Sequence, residues 1–452
     1  MSESELLPHK RCWEAFEAAL RAARLVGAPD VEVTLWASAS ALTRFAANRI
    51  HQNVAERHHA VSIRVLTEQR TARVTTNRLE EKSLRAAVEQ AIAIARAQAP
   101  DPDLPPLAEP APIRPVDRYH GPTARTTPEE RARGVAAAIA VASAAGQSAA
   151  GAFSTEEHAE AIVNSRGVFA YYCGTLARFS VTVMAGESSG WAKQASIAVS
   201  DLDPQALTRR ACAKAALGRN PRELPPGRYT VVLEPAAVLD LAGQLFGDFS
   251  ATALQERRSF LNDRLGQKLF GANITVWDDV YHPLQSGPPF DGEGVPRQRL
   301  TLIEQGVPLQ VARSRRAALR EGTEPTGHGL PLPTELGEAP VNIVFHGAET
   351  SLEQLIACCR RGILVTRLWY IREVDPYDKI MTGLTRDGTF LVEDGEVACA
   401  VRNFRFNESI IGMLNRVAGL SRAVRASGEE VFDMVVPGMM VQDFRFTELA
   451  GR

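Results

Sequence analysis

A linker followed by a strand occurs at Asn220-Pro-Arg-Glu-Leu-Pro-Pro-Gly-Arg-Tyr-Thr-Val-Val-Leu233. The prolines fix φ and remove backbone N–H donors, so the first half of this segment is neither a helix nor a central strand. The apolar run at residues 229–233 is typical of a buried strand. We therefore predict two domains, residues 1–220 and residues 228–452, with the linker between them.

The part of the chain before this linker mixes strand and helix patterns. Residues 31–36 and 61–65 alternate apolar and polar side chains, whereas apolar residues recur at helical spacing over residues 84–95. A second proline-rich stretch, residues 100–115, is predicted to be a connector. Strands with packed helices predict an N-terminal α/β domain, and an α+β class for the whole chain.

The part after the linker is predicted to be rich in β-sheet. Asp394-Gly395 and Gln305-Gly306 supply residues that tolerate positive φ at tight hairpin turns. A helix is predicted over residues 352–361, with Thr350 and Glu353 as a capping box. Several strands with few helices favour a sheet that is closed or sandwiched on itself.

Bulk composition excludes several classes of protein. With 452 residues and 45% apolar content, the chain has the length and composition of a globular protein of more than one domain. A formal net charge of -2 gives no basic surface for a nucleic-acid partner. The sequence shows no signal peptide and no membrane span, and the six cysteines are spread too widely for a disulfide framework. We expect a cytoplasmic protein with reduced thiols.

Several separated blocks resemble the TldD/PmbA family of two-subunit metallopeptidases, and they keep the family's order along nearly the whole chain. The blocks are Thr43-Arg-Phe-Ala-Ala-Asn-Arg-Ile-His-Gln-Asn53, Tyr229-Thr-Val-Val-Leu-Glu-Pro235, Pro289-Phe-Asp-Gly-Glu-Gly-Val295, Pro325-Thr-Gly-His-Gly329 and Gly362-Ile-Leu-Val-Thr366. The resemblance implies an N-terminal α/β domain joined to a C-terminal domain dominated by a curved, barrel-like antiparallel sheet. It also implies a dimer that encloses a chamber in which peptides are cut.

The resemblance further distinguishes two types of subunit. The TldD type carries His-Glu-x-x-x-His on a helix after the Val-Val-Leu strand and a late Cys ligand, whereas residues 239–250 here contain no histidine and no cysteine follows Cys399. The chain therefore resembles the PmbA (TldE) type. This implies no catalytic residue and no metal ligand in this chain, with zinc held by a TldD-type catalytic subunit in a heterodimer. The expected substrate is a peptide or a peptide-like intermediate, and neither nucleic acid nor a membrane is an expected partner.

Three pairs of residues are candidates for contact with substrate or with the partner. Thr326 and His328 alternate with Gly327 and Gly329, where the simpler interpretation is a turn that needs glycine backbone freedom. Asp291 and Glu293 are predicted to face the same space, although an acidic loop is more often solvated. Arg372 and Asp375 resemble part of a lid-like loop of the family.

Two other functions stay open at this point. One is a self-sufficient hydrolase that acts on a peptide-like or small conjugate substrate through a repurposed cavity containing His328. The other is a binding or scaffold protein. The serine of Gly186-Glu-Ser-Ser-Gly190 fits a nucleophile-elbow pattern, but the polar and apolar alternation after it predicts a strand and hence a hairpin turn.

Overall fold

The computed structural model describes residues 3–28 and 30–450, so the predicted domain limits at residues 1 and 452 lie outside the described residues. It contains 25% helix and 39% strand. The predicted α+β class is therefore confirmed. In the part of the chain that the model describes, no helix is both long enough and apolar enough to cross a membrane.

The N-terminal half forms one six-stranded antiparallel sheet in the order β3-β2-β1-β4-β5-β6. Its strands are β1 Asp30–Ala46, β2 Arg49–Thr67, β3 Arg70–Thr76, β4 Ser148–Asn164, β5 Phe169–Ala185 and β6 Ser188–Ser196. Its helices are α1 His9–Leu25, α2 Glu81–Ala97, α3 Gly121–Ala124, α4 Pro128–Ala144 and α5 Pro204–Leu217.

The two faces of this sheet have different neighbours because side chains alternate along each strand. One face packs on α1 and α2 near Val33 and on α4 and α5 near Phe45. The opposite face carries Ile162 and Tyr172, which pack against Phe290 of the C-terminal half. The C-terminal half of the chain therefore packs against this second face of the sheet.

The C-terminal half contains a closed five-stranded barrel and a second six-stranded sheet. Its strands are β7 Gly227–Leu233, β8 Val276–Asp278, β9 Leu300–Glu304, β10 Val307–Pro308, β11 Ile343–Phe345, β12 Arg361–Asp375, β13 Ile380–Glu393, β14 Glu396–Ala400, β15 Phe404–Ser409, β16 Val417–Leu420, β17 Val424–Ala426, β18 Met434–Val436 and β19 Met439–Leu449. Its helices are α6 Pro235–Ala242, α7 Ala251–Gln255, α8 Arg315–Glu321, α9 Leu352–Ala357 and α10 Ile410–Asn415.

The barrel runs β12-β7-β19-β15-β13 and closes through pairing of β12 with β13. All of its pairs are antiparallel except β7 with β12, which is parallel. The second sheet has the order β10-β9-β8-β11-β18-β17. The curved, barrel-like sheet implied by the resemblance is confirmed.

The three turns predicted from the sequence are confirmed. Asp394 and Gly395 have φ of 50° and 82°, and Gln305 and Gly306 have φ of 47° and 85°, so both predicted hairpin turns are confirmed. Gly186-Glu-Ser-Ser-Gly190 connects β5 to β6 and is not a strand-to-helix elbow.

The helix predicted over residues 352–361 is too long. α9 ends at Ala357, and its capping box is formed by Ser351 and Gln354 rather than Thr350 and Glu353. Arg361 already begins β12, because pairing with β13 satisfies the backbone from this residue onward.

Candidate functional site

The helix on which the resemblance places the metal motif of the TldD type is α6, Pro235–Ala242. Pro235 occupies its first turn, and every residue from Ala237 to Ala242 is buried, including Asp240. After Ala242 the chain tightens into a 3₁₀ helix, Gly243–Asp248. Packing on all sides therefore fixes this helix in the C-terminal core.

Asp240 joins α6 to a late segment, residues 428–433, which we call the late loop. Its Oδ1 accepts hydrogen bonds from the backbone N–H of Glu429 at 3.1 Å and of Glu430 at 3.0 Å. Burial raises the pKa of the Asp240 carboxyl to about 6, against the lowering effect of these two bonds. A Cβ on Gly428 would overlap the Asp240 carboxylate, so the close approach requires glycine there. The late loop is thus held against α6 by a buried carboxylate.

The residues at this contact do not fit a zinc ion. Zinc in proteins takes a set of three or four Cys, His or carboxylate ligands. The only side chain on α6 that could bind a metal is the Asp240 carboxylate, and its Oδ1 already accepts from two backbone N–H groups of the late loop. Across residues 3–28 and 30–450, no group of three or more His, Cys, Asp and Glu side chains is placed to hold a metal ion.

A cleft of about 660 Å³ opens beside the late loop, where the N-terminal sheet meets the C-terminal half. We call it the junction cleft. One wall is β5 and β6, and the other comes from residues 285–288, the late loop and the strands near it. Its lining residues are Leu176, Arg178, Lys193, Gln285, Ser286, Gly287, Pro288, Arg297, Val341, Asn342, Arg425, Gly428, Val431, Phe432 and Asp433.

Cations outnumber carboxylates in the lining of the junction cleft. Arg425 lies 3.0 Å and Arg178 lies 3.7 Å from the same Asp433 carboxylate oxygen. Lys193 donates to Gly428 O at 2.6 Å and lies 3.2 Å from Glu429. The lining therefore has an excess of positive charge next to the late loop.

The structure places Thr326 and His328 inside the protein. His328 Nδ1 lies 3.0 Å from Thr326 Oγ1, and its Nε2 lies 3.1 Å from Asp278 Oδ1. Burial alone would raise the pKa of Asp278, but the charge of His328 and the contact with it hold that pKa below its usual range. Because both predicted side chains are covered, contact with a substrate stays a prediction that requires this region to open.

Asp291 and Glu293 are also buried, so the expectation of a solvated acidic loop is wrong. Asp291 Oδ1 accepts from the N–H of Glu293 and of Val295, and its Oδ2 accepts from Gly329 N–H at 2.7 Å. Through these bonds the loop folds around the Asp291 carboxylate and keeps that carboxylate away from water. The structure does bring the two predicted motifs together, since Gly329 of the second motif lies against both carboxylates.

Glu293 lies in this same buried cluster. Burial and the neighbouring Asp291 charge raise the pKa of Glu293 to about 8. Its Oε1 accepts from the backbone N–H of Arg315 at 3.1 Å. The carboxyl therefore ties the loop to the start of α8.

Arg372 and Asp375 lie on the hairpin of β12 and β13, apart from these buried groups. The Arg372 guanidinium is 4.4 Å from the Tyr370 ring centre and 3.7 Å from Glu430 of the late loop. Asp375 Oδ1 accepts from the N–H of Tyr377 and Asp378, which shapes the hairpin tip. The lid function stays a prediction, and Arg372 connects this hairpin to the late loop.

Sequence reasoning missed Asp240 and the cations of the junction cleft. A single aspartate inside the apolar run Ala236-Ala-Val-Leu-Asp-Leu-Ala242 was an available signal, because a buried carboxylate needs a partner. No comparable signal existed for Arg178, Lys193, Arg297 and Arg425, which are far apart in sequence.

Comparison with known proteins finds domain models and relatives that are described as PmbA/TldA metallopeptidases or metalloproteases. Domain models described as PmbA/TldA metallopeptidase domain 1, central domain and C-terminal domain match residues 32–95, 77–218 and 226–448. The metalloprotease PmbA of Escherichia coli O157:H7 is 25% identical over 401 residues, which cover 84% of this chain and 85% of that protein. A metalloprotease of Methanothermobacter thermautotrophicus is 25% identical over 233 residues, covering 49% of each chain.

The fold also has a solved counterpart. The crystal structure of TldE from Thermococcus kodakarensis superimposes with a TM-score of 0.86 at 22% identity, covering 96% of this chain and 99% of that one. With the matched blocks, the barrel and the three domain models in agreement, this chain belongs to the TldD/PmbA family of metallopeptidases.

Proposed function

We propose that this chain is the non-catalytic, chamber-forming subunit of a heterodimeric zinc peptidase that cleaves peptides or peptide-like intermediates. The observation that supports this most directly is the contact between α6 and the late loop. Where the TldD type carries zinc ligands, this chain has a buried Asp240 that binds the backbone N–H groups of Glu429 and Glu430.

The metal and its chemistry are assigned to a TldD-type partner. Zinc bound there would polarise the scissile carbonyl and activate a water molecule. This chain would supply walls of the chamber and orient the peptide. The late loop suits that task, because it lines the junction cleft on one side and contacts Arg372 of the β12–β13 hairpin through Glu430.

Reconstitution with a TldD-type partner tests the proposal. Each purified chain is assayed alone and after mixing, with an unfolded peptide as substrate and zinc present. We expect peptide hydrolysis by the mixture that exceeds the sum of the separate activities and that stops when the partner's zinc-ligand histidines are replaced. Metal-dependent hydrolysis by this chain alone would refute the proposal and favour a self-sufficient hydrolase.

A variant of this chain separates the two outcomes further. His328→Gln keeps a polar side chain beside Asp278 but removes the imidazole. We expect the reconstituted activity to follow the folded fraction of this variant, measured by its melting temperature. A folded His328→Gln chain that still forms the heterodimer but gives no activity would show that the imidazole is needed for the reaction, either in contact with the substrate or in catalysis.

A further inference from the structure

The junction cleft carries an inference about the substrate. We infer that this cleft binds a carboxylate of the peptide, with the Arg297 guanidinium as the principal contact. The inference rests on the proposed function, since it specifies the substrate of the same chamber. Both a C-terminal carboxylate and an Asp or Glu side chain present this chemistry.

Arg297 is held by its backbone, while in the described part of the chain two of its guanidinium nitrogens are buried without a partner. Its N–H donates to Pro289 O at 2.9 Å, and its carbonyl accepts from the Tyr281 hydroxyl at 3.2 Å. The Nε and Nη1 atoms are buried without a hydrogen-bond partner, and among the described residues no carboxylate forms an ion pair with this guanidinium. Unpaired donors of this kind carry a desolvation cost that an anionic ligand would remove.

The carboxylates at the cleft are already paired with its other cations and do not neutralise Arg297. Asp433 serves both Arg425 and Arg178, and Glu429 serves Lys193. The buried carboxyls of Glu160, Asp278 and Asp291 also feel the positive charge of Arg297, which opposes the rise in pKa that burial causes, but among the described residues none of them forms an ion pair with it. A carboxylate entering the cleft would therefore meet four lining cations against one lining carboxylate, Asp433, and the unpaired Nε and Nη1 donors of Arg297.

The remaining walls suit a peptide rather than a small inorganic anion. Leu176, Val341, Val431 and Phe432 line the same cleft, and 45% of Phe432 is exposed. A volume of about 660 Å³ lies in the range of sites that enclose organic ligands. These apolar residues beside the cations of the cleft fit a peptide whose carboxylate follows an apolar side chain.

Binding of three labelled peptides to the full chain tests this inference. The probes are a fluorescein-labelled hexapeptide of alternating alanine and leucine with a free C-terminal carboxylate, the same peptide as its C-terminal amide, and the amide carrying one glutamate. Fluorescence anisotropy at low salt should give about tenfold tighter binding of the free-acid peptide than of the plain amide. Tight binding of the glutamate-containing amide would show that a side-chain carboxylate also serves.

Two substitutions on one segment provide a matched comparison. Arg297→Gln should reduce binding of the free-acid peptide to the level of the amide, whereas Arg299→Gln should leave it unchanged. Arg299 is exposed, lies 3.6 Å from Asp279 and does not line the cleft. If Arg297→Gln does not fold, Arg178→Gln decides, with an expected loss of about threefold for this partly exposed cation.

Equal affinity for all three peptides, no measurable binding, or equal effects of Arg297→Gln and Arg299→Gln would overturn the inference. Because this assay uses the single chain without metal, it can fail while reconstituted hydrolysis succeeds. The reverse result, carboxylate-selective binding without reconstituted activity, would refute the proposed function and leave the cleft as a ligand site.

Discussion

Replacing Asp240 should separate two roles of its carboxylate, as a hydrogen-bond acceptor and as a buried charge. In Asp240→Ala, the backbone N–H groups of Glu429 and Glu430 lose their acceptor. At about 1 to 3 kcal/mol for each buried donor left without a partner, we expect a loss of about 2 to 4 kcal/mol, allowing for water that enters the space. Asp240→Asn keeps an acceptor oxygen at this position and should retain most of the stability.

The pH dependence of stability gives the sharper test. The pKa of Asp240 is raised from 3.8 to about 6, so the folded chain holds this proton more tightly than the unfolded chain. Its stabilising contribution is present in full below pH 3.8 and is lost as the pH rises through about 6. At about 1.4 kcal/mol for each pH unit, the loss amounts to about 3 kcal/mol. Asp240→Asn should abolish this component, because the amide does not titrate.

Thermal unfolding at pH 5 and pH 8 measures both effects, and limited proteolysis of the late loop reports its release from α6. Asp263→Asn is the control, because Asp263 is an exposed aspartate paired only with Arg257 at the surface. We expect Asp240→Ala to be less stable and cut faster at the late loop, and Asp240→Asn to be protected and to depend less on pH. Equal losses in the two variants, or an unchanged pH dependence in Asp240→Asn, would refute the reasoning.

Three further outcomes are expected. Glu293→Gln should raise the melting temperature at pH 9 relative to the parent chain but not at pH 5, because the raised pKa of Glu293 means that ionisation above about pH 8 destabilises the fold. Gly329→Ala should lower the free energy of unfolding, measured in denaturant, by about 1 to 3 kcal/mol, because its Cβ would press on the Glu293 carboxylate. Gly247→Ala should leave that free energy unchanged, because a Cβ at this position meets no atom within 4 Å. Arg372→Ala should lower the activity of the reconstituted heterodimer without changing the melting temperature, since its surface contact with Glu430 contributes little to stability. A fall in melting temperature that accounts for the lost activity would contradict the last expectation.

The strands and turns were largely predictable because their signals are local, whereas the barrel was implied by the family resemblance. Alternation in β1 and the Asp394-Gly395 turn follow from neighbouring residues. The burial of Asp291 and Glu293 was not predictable, since their acidic loop is covered by Gly329 and by the start of α8, which lie further along the chain. The same limit applies to Asp240, whose hydrogen-bond donors are almost two hundred residues away in sequence.

The absence of the zinc motif from α6 raises the question of what holds this region together. In a metal-bearing subunit, ligands from the helix and from the late segment would be connected through the ion, and metal binding would contribute to the stability of the fold. Here Asp240 makes that connection through backbone N–H groups, while Val238, Leu239 and Leu241 fix the helix in the core. The backbone bonds demand only an acceptor at position 240 and a glycine at position 428, so they leave the side chains of Glu429 and Glu430 free to contact Lys193 and Arg372. A loop held in this way can therefore shape the junction cleft, which is the role that the proposed function gives to this chain.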